Sequence, residues 1–300
     1  MDTLRISTFS PSVLVEVATD TGLLAGAGLK VDEIPARSSP AQFAALLDGS
    51  LDAVVTNPDN VVAYRCVPDN PLGRNADVRI LAAVDQGLGL GLYARNPEPH
   101  TKVLGVDVPT SGFAFVAFEL LTRLGLRRDI DYTVRALGST PRRAEALLSG
   151  QCDITILNAG NELRAETAGA RRLATATTLG PYVGAVLAAR GQAVQENRDV
   201  LAAFIRVLLT TSTDLVSGEL VDVAVAAARR RLGLDEESAA RHVRTMVDPN
   251  EGLVADGQMT PDALATVVHL RNRHSPGAAQ LSVQSVVRSG IIDNGLLPCS

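Results

Sequence analysis

Residues 45–60 read ALLDGSLDAVVTNPDN, and residues 146–161 read ALLSGQCDITILNAGN. At a constant offset of 101, seven of the sixteen positions are identical: Ala45/Ala146, Leu46/Leu147, Leu47/Leu148, Gly49/Gly150, Asp52/Asp153, Asn57/Asn158 and Asn60/Asn161. The same offset carries Ser38-Ser39-Pro40 onto Ser139-Thr140-Pro141. Upstream, Leu4-Arg5-Ile6 and Val103-Leu104-Gly105-Val106 each open an apolar strand pattern, and Gly28-Leu29 and Gly125-Leu126 each follow an apolar helical one. A period of about 100 residues is too long for a solenoid repeat and reads as a duplicated α/β unit.

Each unit reads strand, helix, strand, helix, strand. In the first, the pattern predicts a strand over Leu4 to Phe9, a helix over Ser12 to Ala27 and a strand over Lys30 to Pro35. A helix over Pro40 to Leu47 and a strand over Leu51 to Thr56 complete it. Gly28 suits a helix C′ position, and the two Ser/Thr-Pro triplets suit an N-cap followed by Pro at N1. Such alternation implies two similar Rossmann-like α/β lobes with mostly parallel sheets, which take ligands beyond the carboxyl ends of their strands. The extended, Gly-containing stretches at 87–93 and 181–187 read as crossings between lobes. Lobe one is then discontinuous, 1–91 and 186–300, with lobe two inserted as 92–185. After the second crossing, Arg198 to Ser217, Glu219 to Leu232, Glu236 to Val247 and Pro261 to Arg273 carry apolar residues at helical spacing. This helical tail is expected to cover lobe one.

Composition removes several function classes. Hydrophobic residues are 46% and charged residues 20%, the profile of a folded globular chain rather than a disordered one. A formal charge of -5 disfavours nucleic acid and anionic membranes as partners. The basic run Arg229 to Arg231 reads as a solvated helix face. Cys66, Cys152 and Cys299 are too scattered for a zinc knuckle, a redox pair or a disulfide framework, and neither metal nor cofactor is expected. Met1-Asp2-Thr3-Leu4-Arg5-Ile6 shows no basic n-region before a long apolar stretch, so the chain as it stands reads as cytoplasmic, and as extracytoplasmic if a leader was removed.

Gly22-Leu23, Gly26-Ala27-Gly28-Leu29 and Leu46-Leu47-Asp48-Gly49-Ser50-Leu51-Asp52 resemble the first lobe of type II solute-binding proteins of ABC importers. Gly105-Val106-Asp107, Pro109 to Phe115, Gly138-Ser139-Thr140, Arg143 and Pro181-Tyr182-Val183-Gly184 resemble the second lobe of the nitrate, sulfonate and thiamine-precursor group. The resemblance spans about residues 4–190 by motif and the tail by length. It implies the type II periplasmic-binding-protein fold, a small-molecule ligand between the lobes, an ABC permease as partner and a monomer. Enzymes occur on the same scaffold, but the Cys-rich iron motif of the pyrimidine synthases and the Arg-x-Gly-Gly segment of the desulfinases are missing from this sequence.

Four helix starts are expected to converge on the cleft: after Phe9-Ser10, at Ser38-Ser39, at Thr110-Ser111-Gly112 and at Ser139-Thr140. Free backbone N–H groups, hydroxyls and a positive dipole end suit a carboxylate, sulfonate or phosphate. No Lys or Arg lies in the loops themselves, and Arg143 sits one turn inside the Ser139 start. Asn57, Asp59 and Asn60 end the third strand of the first unit, with Asn158 expected opposite Asn57; their amides can read either hydrogen-bond sense, or form Asx turns. Asp85-Gln86 is a further candidate, and Asp59 and Asp85 suit a cationic group on a zwitterionic ligand. Tyr182 and Phe113 join Phe9 as cleft aromatics, while Phe115 and Phe118 read as core. The catalytic inventory is thin: His100 sits in a Pro-rich loop, Cys66 reads as a small buried thiol, and neither HExxH, GxSxG nor a P-loop is present. A binding protein is therefore expected. The alternative is a lyase, decarboxylase or isomerase of a small acid; a ligand sensor ranks behind both because no helix-turn-helix unit precedes Leu4.

Overall fold

A computed structural model describes residues 1–95, 102–275 and 280–298; His100 and Cys299 lie outside them. The chain runs β1 (Asp2–Thr8), α1 (Val13–Asp20), α2 (Leu23–Gly26), β2 (Leu29–Pro35), α3 (Ser39–Asp48), β3 (Ala53–Thr56), α4 (Pro58–Cys66) and β4 (Val78–Asp85). It continues with β5 (Gly91–Ala94), β6 (Lys102–Val106), α5 (Gly112–Arg123), β7 (Tyr132–Ala136), α6 (Thr140–Leu148), β8 (Ile154–Leu157), α7 (Asn161–Thr167), β9 (Arg171–Thr175) and β10 (Ala185–Arg190). Then come α8 (Gly191–Glu196), α9 (Arg198–Val216), α10 (Val221–Leu232), α11 (Glu236–Met246), α12 (Pro261–His274) and α13 (Val283–Arg288).

Two five-stranded sheets form the two lobes, with orders β2-β1-β3-β10-β4 and β7-β6-β8-β5-β9. The topologies superpose element for element, as the repeat implies: Ile6 pairs with Ala53 in the first sheet and Leu104 with Ile154 in the second. β1 runs parallel to β2 and β3, and β6 runs parallel to β7 and β8. The fourth position in each sheet departs from a parallel reading. β10 is antiparallel to β3 and β4, and β5 is antiparallel to β8 and β9, so both sheets are mixed. Each of these strands has just crossed from the other lobe, entering at the cleft side where its neighbours end, and so it runs against them.

Local chemistry sets the element ends. Ser12 Oγ accepts the Val15 N–H to start α1. The single helix expected over 12–27 is broken in two. The Thr19 and Thr21 hydroxyls bond back to Val15 O and Val17 O, and Gly22 turns the chain at φ 74°. In α3 and α6 the proline falls at N2 rather than N1, because Ser39 and Thr140 are already helical. Ser38 Oγ caps α3 through Ala41 N, whereas the Ser139 side chain makes no cap bond.

The helical tail does more than cover lobe one. Leu201, Phe204, Ile205 and Leu208 of α9 and Ala224, Ala227 and Ala228 of α10 share a core with Val13, Leu14 and Val17 of α1. Arg230 reaches Glu16 and Asp20 of α1, and Arg231 reaches Glu33 of β2, so the basic run is an ion-paired seam rather than a free solvated face. α12, in contrast, bridges the lobes. Its Leu264, Val267 and Val268 pack in one core with Phe115, Phe118 and Leu121 of α5 and Val61 and Val62 of α4. Polar pairs fix the same bridge: Arg271 to Asp59 of α4, and His274 and Arg273 to Glu119 of α5. An apolar stripe shows that a helix buries one face, but not that two lobes share it. Among the described residues no single helix is long and apolar enough to cross a membrane.

Candidate functional site

The carboxyl ends of both sheets meet around a cavity of about 110 Å³, partly open to solvent. Thr8 and Phe9 at the end of β1, Thr56 and Asn57 at the end of β3, and Asp85 at the end of β4 line it from one lobe. Asp107 after β6, Ser111, Gly112 and Phe113 at the start of α5, Thr140 and Arg143 on α6 and Asn158 after β8 line it from the other. A third wall comes from the tail: His242 and Met246 on α11 and Leu253 beyond it.

Of the candidates read from sequence, Phe9, Ser10, Asn57, Asn60, Ser111, Thr140 and Asn158 stand on this wall. Ser38, Ser39, Asp59, Thr110, Ser139 and Tyr182 do not, and most have partners that account for them. The Ser39 N–H donates to Asp107 Oδ2 across the lobes at 3.1 Å. Asp59 accepts Arg271 Nε and Nη2 at 2.6 and 2.7 Å, both side chains being about 95% buried, so its charge is answered inside the protein. Tyr182 OH accepts the Asn57 Nδ2 hydrogen at 2.7 Å behind the wall, and burial raises its phenol well above the ordinary value. Thr110 is exposed. Cys66 is half-buried against Ser289, away from the cavity.

Asn57 and Asn158 have equivalent duties. Asn57 Nδ2 also donates to Gly184 O at 3.2 Å, and Asn158 Nδ2 donates to Gly87 O at 3.0 Å. Each amide therefore clamps one crossing segment to the lobe it enters or leaves. Asp85 supports the same hinge by accepting the Gly87 N–H at 2.8 Å. Ser10 Oγ meets Asn161 Nδ2 across the lobes at 3.0 Å.

The charged groups of the wall are deeply buried. Arg143 is 1% exposed, and burial pushes its guanidinium down to about 10 while the Asp107 charge opposes the shift. It bonds Gly138 O through Nη1 at 2.6 Å, Thr140 Oγ1 through Nη2 at 3.0 Å, and Ile156 O through Nε and Nη2 at 3.3 Å. Burial pushes the Asp85 carboxyl up to about 7, with the Gly87 N–H working against it. Burial alone holds His242 down to about 4, a neutral ring at neutral pH, and its Nδ1 has no hydrogen-bond partner. Asp107 Oδ1 is likewise buried and unpartnered. Phe9, Phe113, Leu14, Val84, Leu88, Met246 and Leu253 make the rest of the wall largely apolar.

Thr8, Asp107, His242, Met246 and Leu253 were not singled out from sequence as cavity residues. Asp107 had a usable signal, since it directly follows a strand ahead of the Thr110-Ser111-Gly112 helix start. His242, Met246 and Leu253 had none, because they lie outside the duplicated units. Among the described residues no group of three or more His, Cys, Asp and Glu side chains is placed to hold a metal ion.

The chain has the periplasmic-binding-protein fold. It superposes on the periplasmic nitrate-binding protein of Synechocystis PCC 6803 with TM-score 0.77 and 11% identity, over 98% of this chain and 86% of the other. Against the alkanesulfonate-binding protein of Xanthomonas axonopodis pv. citri, bound to MOPS, the TM-score is 0.72 and the identity 16%, over 95% and 97%. A Candida albicans protein exhibiting the generic periplasmic binding protein fold gives 0.73 and 15%, over 100% and 99%. No protein-family model and no curated protein matches the sequence.

Proposed function

We propose that the protein binds one small organic solute in the interlobe cavity and serves as the solute-binding component of an ABC importer, working outside the cytoplasmic membrane. The observation that carries this reading is a cavity walled by both lobes at the carboxyl ends of their sheets, where the fold presents helix starts. The structural neighbours that bind nitrate and alkanesulfonate support the same role. Asn57 and Asn158 hold the two crossing segments, so the lobes can rotate about 87–93 and 181–187 without loosening either end.

Mass spectrometry of small molecules released from the purified protein tests this reading directly, followed by a thermal-shift screen of the released compound. A ligand specific for the folded state stabilises it by about 2.7 kcal/mol at a hundredfold excess over Kd, an easily measured rise in Tm. If no compound is released and none of a metabolite panel raises Tm, the solute-binding reading fails.

One observation favours a second reading, an enzyme acting on a small acid. Asp85, pushed up to about 7, lines the same cavity as Arg143, and a carboxyl poised near neutrality is suited to proton transfer. The released compound again decides. Its conversion over hours by the protein, followed by NMR and abolished in Asp85→Asn, supports chemistry; an unchanged spectrum supports binding alone.

A further inference from the structure

One end of the cavity carries charge of both signs. Asp107 is 5% exposed; its Oδ2 accepts the Ser39 N–H, and its Oδ1 is buried with no donor. An ionised carboxylate only accepts, and a buried acceptor left unpaired is costly, so a donor brought to this end of the cavity by the solute gains from pairing with it. Arg143 stands beside it, close enough for the Asp107 charge to act on its guanidinium. Of the five N–H donors on an arginine, four are spent on Gly138 O, Thr140 Oγ1 and Ile156 O, leaving one on Nη1. The starts of α5, at Gly112 and Phe113, and of α6, at Thr140, bring helix-end backbone N–H groups to the same end. Leu14, Met246 and Leu253 line another stretch of the wall, and a smaller apolar cavity shares Leu14 and Val84 with it.

A bare anion placed between Arg143 and the helix starts sits beside the like charge of Asp107. A bare cation on Asp107 sits beside the like charge of Arg143 in the same way. We propose that the solute is a zwitterion of the α-amino-acid type with an apolar side chain: its ammonium meets Asp107, its carboxylate meets Arg143 and the starts of α5 and α6, and its side chain lies against Leu14, Met246 and Leu253. The two opposite charges are adjacent on such a molecule, as Asp107 and Arg143 are on the wall. This inference rests on the solute-binding reading above and names the substrate class for it.

Calorimetric titration of the full chain tests it with L-leucine, L-methionine and L-phenylalanine as probes. Isocaproate keeps the leucine skeleton without the ammonium, isoamylamine keeps it without the carboxylate, and nitrate is the bare anion. At least one amino acid should bind about 100-fold more tightly than either analogue, because a site built to pair a polar group rejects the molecule lacking it. Asp107→Asn keeps an acceptor for the Ser39 N–H, and should weaken the amino acid about tenfold or more while leaving isocaproate no weaker. If that variant fails to fold, the analogue series on the unaltered chain decides alone. Isocaproate or nitrate binding as tightly as the amino acids overturns the inference but keeps a solute-binding protein, and so does an Asp107→Asn variant with unchanged affinity. Silence from all six probes also overturns it, while the released-compound analysis judges solute binding separately.

Discussion

Asp52 and Asp153 are identical in the two units because they do the same backbone work. Asp52 Oδ2 accepts the Arg5 N–H at 2.8 Å, and Asp153 Oδ2 accepts the Val103 N–H at 2.7 Å, so each carboxylate pins the first strand of its unit to the third. Gly49 and Gly150 adopt φ of 86° and 75° at the ends of the preceding helices, a conformation a side chain would strain. Asp153→Ala should therefore cost about 1–2 kcal/mol, the value of one hydrogen bond plus the N–H left unpaired. Urea unfolding should show a lower midpoint, with affinity for solute unchanged because Asp153 is off the cavity wall. At this scale the repeat was fully legible in sequence, but the reason for it was only half so. Asn57 and Asn158 read as ligand groups or turn formers; Asn57 does form the turn, its Oδ1 accepting the Asp59 N–H, but Asn57 Nδ2 and Asn158 Nδ2 also donate to Gly184 O and Gly87 O, partners more than 70 residues away that no local pattern reveals.

Among the elements, the tail helices were legible in extent and not in role. Their boundaries follow from apolar spacing and agree within about two residues, the ordinary uncertainty of helix ends. Which partner each face meets depends on tertiary packing, so neither the bridge made by α12 nor the cavity wall made by α11 could be read. The same packing buries Glu162 at the start of α7 among α11 and the first crossing. Burial, with the like charges of Glu166 and Glu251 adding to it, pushes Glu162 up to about 8, and only the N–H groups of Gly160 and of Glu162 itself work against it. Arg172, Arg241, Arg244 and Asp248 line the same groove. Because its folded value lies above the ordinary 4.5, the folded protein binds the extra proton. Its contribution is full below 4.5 and is lost as pH rises toward about 8. Glu162→Gln should remove this alkaline loss. Wild-type stability should fall by on the order of 5 kcal/mol more than that of the variant across this window, measured by urea unfolding at stepped pH. Parallel pH profiles for the two proteins would show that Glu162 is charged in the fold.

For the molecule as a whole, the question is how closely the lobes approach, and Gly112 is where it is decided. It opens α5 in the second lobe and faces Asn57 and Asp59 of the first. A Cβ at Gly112 would run into Asn57 Oδ1 and come within 2.6 Å of Asp59 Cβ, a separation that folded proteins do not sustain. Neither neighbour can yield easily. Asn57 is tied to Tyr182 and Gly184, and Asp59 is tied to Arg271, which also sits over the Phe115 ring at 5.1 Å. Since the neighbours hold, the cheapest relief is for the lobes to part along the 87–93 and 181–187 crossings, which leaves each sheet intact and loads the core that α12 shares with α5. Gly112→Val should then keep a cooperative unfolding transition but scatter with a larger radius of gyration than the unaltered protein. It should bind solute more weakly, because part of the binding energy is spent forcing the lobes together. Small-angle scattering and titration on the same sample check both expectations. An unchanged radius of gyration with unchanged affinity would mean that lobe closure does not depend on contact at the start of α5.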